Sequence, residues 1–372
     1  MNFRQTKFKD FIVLQRGFDL PKSSMKEGDI PVLGSNCIIG YHNEAKVAPP
    51  GVVTGRSGTL GLVQFTDNPY WPHNTALWVK DFKGNDPKFV YYKLQTLHLE
   101  NFNGGASVPT LNRNVLDMLE INIPHIDIQK SIAEILSAYD DLIENNRRRM
   151  VLSEEAARQL YREWFVRLRF PGHEHTRIIN GVPEGWERKT LGDLCKEIRE
   201  SVSPEALEPD TPYIGLEHMP RRSISLSEWG KAEQVTSSKH RFREGEILFG
   251  KIRPYFHKVG ITFVDGVASS DAILIRPSEG KFLGLLLMTV SSDAFVAITA
   301  QTMKEGSKMP RADWKQMQQY VVLKPSEGIL NSFESTIQSV VEQLKTLTFA
   351  NRQLRAARDL LLPKLMSGEI EV

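Results

Sequence analysis

Gly104-Gly105-Ala106-Ser107-Val108-Pro109, running on to Ile121-Asn122-Ile123-Pro124, is the stretch from which the fold is read, because it occurs twice. It returns as Glu305-Gly306-Ser307-Lys308-Met309-Pro310, running on to Val321-Val322-Leu323-Lys324-Pro325, and Gly105/Gly306, Pro109/Pro310 and Pro124/Pro325 share one spacing. A duplicated unit constrains architecture more than any local propensity does. Upstream, with shifted register, Pro31-Val32-Leu33-Gly34 is answered by Pro212-Tyr213-Ile214-Gly215, and Val52-Val53-Thr54-Gly55-Arg56 by Ile247-Leu248-Phe249-Gly250-Lys251. Further on, Asn74-Thr75-Ala76-Leu77-Trp78-Val79 is answered by Ser270-Asp271-Ala272-Ile273-Leu274-Ile275. The common order of these matches predicts two copies of one module, against the alternative of coincidence among Gly and Pro turn signals.

Each copy ends in a helical pattern. Ile132, Leu136, Tyr139, Ile143, Asn146, Met150, Ser153, Ala157, Leu160 and Trp164 alternate four- and three-residue steps. Phe333, Ile337, Val340, Leu344, Leu347, Asn351, Leu354, Arg358 and Leu361 do the same, up to Pro363, which is expected to stop the second helix. Such steps draw a coiled-coil seam along one helix face. A helix over residues 127–168 is ~60 Å long at 1.5 Å per residue, beyond the usual globular helix. Polar seam residues such as Asn146, Ser153 and Asn351 suit register-setting in a coiled coil better than burial in a globular core. Either stripe alone would stand in water, so the second helix is expected to fold back antiparallel on the first.

The expected fold class is therefore α+β, two mixed α/β domains separated by two long helices packed as an antiparallel coiled coil. The expected boundaries are residues 1–125 for the first domain, 126–170 for the central helical spacer, 171–325 for the second domain and 326–372 for the C-terminal spacer. Short runs at 61–65, 260–264 and 272–275, set between Gly, Pro and Asp turns, read as strands. The Gly- and Pro-rich stretches at 171–175 and 181–185 read as a linker.

Composition agrees with two folded bodies. The 372 residues exceed the length at which one core usually stops growing, and 41% hydrophobic with 25% charged residues is ordinary for a globular protein. Lys and Arg number 47 against 45 Asp and Glu, so any nucleic-acid surface must come from local clustering of basic residues, since the net charge is only +2. Cys37 and Cys195 lie far apart, which argues against a disulfide framework or a four-ligand zinc site. The N-terminus has no apolar signal core and no apolar run approaches the ~20 residues that span a bilayer, so a cytoplasmic protein with no membrane contact is expected.

Three further segments carry a family resemblance. Asp127-Ile-Gln-Lys-Ser-Ile-Ala-Glu-Ile-Leu136, Asp140-Asp-Leu-Ile-Glu-Asn-Asn-Arg-Arg-Arg149 and Leu160-Tyr-Arg-Glu-Trp-Phe165 together form the first. Leu354-Arg-Ala-Ala-Arg-Asp-Leu-Leu-Leu-Pro-Lys-Leu-Met-Ser-Gly-Glu-Ile370 forms the second, and Trp186-Glu-Arg-Lys-Thr-Leu-Gly-Asp-Leu194 the third. They resemble the central conserved region, the distal conserved region and the start of a recognition domain in the specificity subunits of type I restriction-modification systems. The resemblance covers almost the whole chain. In the first copy Phe8-Lys9-Asp10-Phe11 stands where Leu191-Gly-Asp-Leu194 stands in the second, a degenerate form of that opening motif.

The resemblance implies a non-catalytic subunit whose two target recognition domains each read one half of a bipartite double-stranded DNA site, with the helices as a ruler. Two modules on one face of a duplex must be offset by ~34 Å or a multiple of it, a scale such helices match. The resemblance also implies two methyltransferase subunits docked on the helices, and restriction subunits joined to that core. No cofactor is implied for this chain itself: S-adenosylmethionine belongs to the methyltransferase partner, ATP and Mg to the restriction partner. Leu142, Ile143, Tyr161, Phe165, Leu344, Leu354 and Leu361 are the residues expected to bind partners.

For DNA contact, the clearest basic-aromatic cluster runs from Lys239 to Lys258. There Lys239, Arg241, Arg243, Lys251, Arg253 and Lys258 face only Glu244 and Glu246, with His240, Phe242, Tyr255, Phe256 and His257 interleaved. Arginine pairs bidentately with guanine edges while lysine mainly neutralises phosphate, so Arg253 is assigned to bases and Lys251 to the backbone, with Tyr255, His257 and Lys258 beside them; a solvated basic loop is the alternative. In the first copy the counterpart is Arg56 and Ser57 among glycines, or else a tight hairpin turn. Asn74 offers the paired contacts that distinguish adenine, or else forms an Asx turn. The repeated loops add Ser107, Thr110, Asn112 and Arg113 in one copy and Ser307, Lys308, Arg311 and Lys315 in the other.

Catalytic signatures fail on inspection. Gly245-Glu-Ile-Leu-Phe-Gly250-Lys251 resembles a P-loop, but Ile252 stands where a Ser or Thr should hold magnesium, and residues 247–249 read as a strand. Asn68-Pro69-Tyr70-Trp71 lacks the second proline of an adenine methyltransferase tetrapeptide, and Asp271 with Glu279 and Lys281 is too cramped for a nuclease. His173-Glu-His175 lacks further metal ligands nearby. Two competing functions remain: an endonuclease or methyltransferase in its own right, and a coiled-coil scaffold unrelated to DNA.

Overall fold

The strand Phe3–Lys7 pairs antiparallel with Glu120–Pro124, so the two ends of the first α/β body are zipped together just before a long helix begins. The computed structural model describes residues 3–105, 108–301 and 310–372. Contacts divide the chain into two units, Met1–Glu144 with Arg352–Val372, and Asn145–Asn351.

In the first unit a four-stranded antiparallel sheet has the order Val13–Arg16, Ala76–Asp81, Gly51–Gly55, Val63–Thr66. Its inner strand Gly51–Gly55 is buried along its whole length. A smaller sheet joins Ile38–His42, Ile30–Leu33 and Trp71–Pro72, the last pair parallel. The helix Pro87–Gln95 starts where Asp86 caps it, its carboxylate accepting from Phe89 N at 2.8 Å with proline at the first turn. The core gathers Phe8, Phe11, Phe89 and Leu94 with Ile132 and Leu136 from the first long helix and Leu365 and Met366 from the second.

The second unit repeats the plan. Its four-stranded sheet has the order Cys195–Ile198, Ala272–Pro277, Ile247–Gly250, Val259–Ile261, all antiparallel. Glu187–Thr190 pairs with Val321–Lys324 as Phe3–Lys7 does with Glu120–Pro124. A parallel strand pair, Pro212–Ile214 with Gly266–Ala268, matches the parallel pair of the first unit, within a sheet enlarged to five strands. Phe8–Phe11 and Leu191–Leu194 are each a single helical turn. Only the second has a capping box, Thr190 with Asp193. The degenerate first copy folds alike because its two apolar residues, like Leu191 and Leu194, are fully withdrawn from water.

The central helix spans Ile126–Tyr161 and continues as a wider π-helical turn over Arg162–Val166; the C-terminal helix spans Glu327–Ser367. Within the second unit Asn146 donates to Asn351 Oδ1 at 2.9 Å, Ser153 donates to Gln343 Oε1 at 3.0 Å, and the Phe165 and Phe333 rings lie 4.8 Å apart. Partner numbers fall as residue numbers rise, so the pairing is antiparallel. Within the first unit Arg358 reaches Asp140 in the same sense, and Tyr92 OH donates to Asp140 Oδ2 at 2.6 Å.

Two expectations are corrected. Pro363 does not stop the second helix, which continues to Ser367. The proline costs about 3 kcal/mol in a helix interior, but Leu362, Leu365 and Met366 are buried in the first unit's core, and each such side chain contributes about 1.5–3 kcal/mol. Gly368, at φ 81°, then ends the helix. The stretch expected as a linker holds a small hairpin, Ile178–Ile179 with Val182–Pro183, closed where Phe170 and Trp186 meet at 4.7 Å. Among the described residues no single helix is long and apolar enough to cross a membrane.

Candidate nucleic-acid interface

Where the buried strand Gly51–Gly55 leaves its sheet, three loops are laced together by main-chain bonds. Arg56 N and Ser57 N donate to Thr75 O at 2.9 and 3.1 Å, Leu111 N donates to Arg56 O at 2.9 Å, and Gly58 N donates to Pro109 O at 2.9 Å. Gly55 is required here, because a Cβ would stand 1.9 Å from the Thr59 carbonyl oxygen. The ledge borders a cleft of about 440 Å³ lined by Arg16, Arg56, Thr110, Asn112 and Arg113, among others. Three arginines thus line a cleft whose lining, among the described residues, holds no carboxylate.

Each of these side chains is already oriented. Arg56 donates to Asn74 O at 2.9 Å and Arg113 to Leu14 O at 3.2 Å. Arg16 pairs with Asp19 at 3.2 Å, and Asn74 donates to the same carboxylate. Thr110 donates to Val108 O at 3.1 Å, and Asn112 caps the helix Arg113–Asp117 by accepting from Asn114 N at 3.1 Å.

The second unit builds the same ledge after Ile247–Gly250. Lys251 N donates to Asp271 O at 2.7 Å, Ala312 N donates to Lys251 O at 2.8 Å, and Arg253 N donates to Pro310 O at 2.9 Å. Ser57 bridges Thr110 in one unit, and Ile252 bridges Arg311 in the other. The ledges therefore correspond residue by residue: Arg56 with Lys251, Gly58 with Arg253, Thr75 with Asp271, Thr110 with Arg311. Asn112 and Asp313 match as helix caps.

On the second ledge Arg253 is exposed at φ 49°, its guanidinium 5.9 Å from the Phe256 ring, and Arg221 stacks on that ring at 4.1 Å. Tyr255 is 53% exposed beside it. Arg311 meets Asp271 at 3.5 Å. Other members of the basic run turn inward. Lys239 is buried and donates to Ser237 O at 2.9 Å, and Lys258 donates to Leu216 O. His257 is buried with Nε2 2.7 Å from Ser291 O, and burial holds its pKa below the usual histidine value. Ser107, Ser307 and Lys308 lie outside the described residues.

Sequence reasoning missed Arg16, which lines the first cleft, and two buried polar anchors that hold the bodies to their helices. Glu154, 4% exposed, accepts from Ser223 Oγ at 2.7 Å, Ile224 N at 3.1 Å, Ser225 N at 3.2 Å and Ser225 Oγ at 2.7 Å, with Arg158 at 2.8 Å. Gln129, buried in the first unit, accepts from Asp86 N at 3.0 Å and donates to Asn85 Oδ1 at 2.8 Å and Pro124 O at 3.0 Å. Most of these contacts join residues 43 to 71 apart in sequence and leave no local pattern.

Of the residues expected to bind partners, Leu142 is 51% exposed. Ile143, Phe165 and Leu344 are buried, and Leu354 and Leu361 are half-buried. Tyr161 stacks on Phe165 at 5.3 Å, its hydroxyl 3.2 Å from Thr289 Oγ1, and burial pushes that hydroxyl up to about 12.

Comparison with known proteins gives a consistent result. Residues 2–152 match the family described as the type I restriction modification DNA specificity domain. The MjaIX specificity subunit of Methanocaldococcus jannaschii is 25% identical, over 88% of this chain and 79% of that protein. The HindI specificity subunit of Haemophilus influenzae is 19% identical, over 71% and 72%. The crystal structure of the type I restriction-modification S subunit from M. genitalium shares the fold, with a TM-score of 0.63 at 17% identity over 98% of this chain and 96% of that one.

Proposed function

We propose, from the premise that this chain belongs to the family of type I restriction-modification specificity subunits, that each unit reads one half of a bipartite double-stranded DNA site through its three-loop ledge. The chain is a DNA specificity subunit, and the catalytic activities of such systems reside in partner subunits. An endonuclease or methyltransferase in its own right gives way to this reading, because the relatives are specificity subunits.

One observation carries the half-site assignment: the same main-chain ledge occurs in both units with different side chains on it. A shared backbone supports a shared task, and different side chains support different base sequences. Arg56 and Arg113 in one unit, Arg253 and Arg311 in the other, supply forks for guanine O6 and N7. Lys251, Arg16 and the loop hydroxyls of Ser57 and Thr110 supply phosphate contacts, whose contribution weakens as salt rises. Tyr255 adds an exposed aromatic edge to the second ledge.

The reading extends to the assembly. Two methyltransferase subunits carrying S-adenosylmethionine dock on the long helices, where Leu142 and Leu360 in one unit and Val151 and Leu152 in the other leave apolar surface in water. Restriction subunits using ATP and Mg join that core, and the complex works in the cytoplasm where its DNA lies.

The test is to reconstitute the chain with its methyltransferase subunits and map the modified adenines. R56A should relax base preference in one half-site only and R253A in the other, each costing about 1–3 kcal/mol of discrimination. Equal binding of the wild-type complex to all sequences would overturn the proposal.

A further inference from the structure

We infer that Asp271 and Arg311 together read one C·G base pair in the half-site taken by the Asn145–Asn351 unit. The inference rests on the DNA-reading role of the ledge and adds the chemistry of one position on it.

The ledge itself does not require charge at these two places. Thr75 and Thr110 occupy them in the first unit, and the same main-chain bonds form. Asp271 and Arg311 are therefore choices made for what they face. Both side chains reach solvent, Asp271 at 35% and Arg311 at 53% exposure, and the ion pair between them is loose at 3.5 Å. An exposed pair of this kind contributes little to stability, which removes the ordinary reason for its presence.

The carboxylate is the informative member. Lys251 donates its N–H to the Asp271 carbonyl, Arg311 meets the carboxylate, and Arg253 stands on the same ledge, so this surface suits phosphate. An aspartate there repels phosphate, and beyond Arg311 the partner that DNA offers it is an amino group on a base edge. The major groove offers two such groups, cytosine N4 and adenine N6. The neighbouring guanidinium decides between them. Beside cytosine N4, its paired guanine presents O6 and N7, two acceptors that match the arginine fork; beside adenine N6, thymine presents one acceptor and a methyl group. A donor fork held next to an acceptor carboxylate thus fits C·G and mismatches A·T.

The backbone holds the pair ready. Asp271 O accepts from Lys251 N at 2.7 Å, and Asp271 N donates to Ser269 Oγ at 3.2 Å. Arg311 sits between Pro310, whose carbonyl accepts from Arg253 N, and Ala312, whose N–H donates to Lys251 O. Both Cα positions are fixed before DNA arrives, which is what a specific contact requires.

The experiment uses the full chain reconstituted with its methyltransferase subunits, and reads both half-sites from modified adenines in random-sequence DNA. The wild-type complex is expected to require one C·G pair in the half-site of this unit. D271N, which turns one carboxylate oxygen into a donor, is expected to lose preference at that pair by about tenfold or more, with the other half-site unchanged. D271T, which installs the residue that the first ledge carries, is expected to do the same, and unchanged reading of the other half-site reports that the protein is folded. The inference is overturned if the half-site contains no required C·G pair. It is overturned as well if D271N and D271T change affinity equally on every sequence, since Asp271 and Arg311 then meet only the DNA backbone. Loss of all sequence selection by the wild-type complex would instead sink the DNA-reading role from which the inference starts.

Discussion

The two units carry the same body on their helices by different chemistry. In the first, the neutral amide of Gln129 ties the helix to Asn85 and Asp86. In the second, the anchors are carboxylates: Glu154 gathers the Ser223–Ser225 turn, and Glu334 accepts from Gly284 N and Leu285 N at 2.7 and 2.8 Å. The sheets, the zipped strand ends and the ledges correspond, whereas the anchors share neither position nor charge. Apolar burial and main-chain pairing are thus what the duplicated fold depends on. The polar anchor has only to satisfy the donors it meets.

That difference is breakable, starting with Glu154. E154A leaves two hydroxyls, two buried N–H groups and Arg158 without their shared acceptor, and should destabilise the second unit by about 3–5 kcal/mol in denaturant unfolding. A loss below about 1 kcal/mol would mean that the carboxylate is a surface decoration. Q129A should cost the first unit about 1–3 kcal/mol, because Asp86 N, the Asn85 side chain and Pro124 O lose a neutral partner. Were the two substitutions to cost the same, the contrast between charged and neutral anchors would have no energetic content.

The subtlest expected effect is one of pH. Burial raises the Glu334 pKa from 4.5 to about 7, against the pull of its two N–H donors. Its folded value lies above its unfolded one, so the second unit should be most stable below about pH 4.5 with respect to this group and lose that contribution as pH rises through about 7. The loss should be about 2 kcal/mol. E334Q should flatten this slope, while the amide anchor of the first unit has no slope to flatten. Thermal unfolding at pH 5 and pH 8 for both proteins decides it: an unchanged slope in E334Q assigns the pH dependence elsewhere.

Much of the architecture was legible in the sequence, for physical reasons. The two Gly/Pro stretches share one offset because Pro109 and Pro310 hold equivalent places on the two ledges, and the helices show their seams because a stripe facing a partner must stay apolar at every turn. The polar pair Asn146 and Asn351 was legible as a register device on the same ground. Pro363 was read by its local propensity, which burial of Leu365 and Met366 overrode. Glu154 was invisible because its partners lie about seventy residues away, and Arg16 because its cleft is assembled from four separate segments. In the run from Lys239 to Lys258 the sequence counts charges but does not tell which side chains point inward, as those of Lys239 and His257 do.

The ledges share a set of main-chain bonds, with Thr, Asp, Lys and Arg all accommodated on the same backbone. Lettering on this surface is thereby uncoupled from the masonry beneath it. On the proposed reading, a library randomised at Lys251, Asp271 and Arg311, leaving Arg253 at its left-handed φ, should express and assemble at nearly the parental yield while its members disagree about which DNA to mark, so new targets would be reachable by rewriting a few positions without rebuilding a domain.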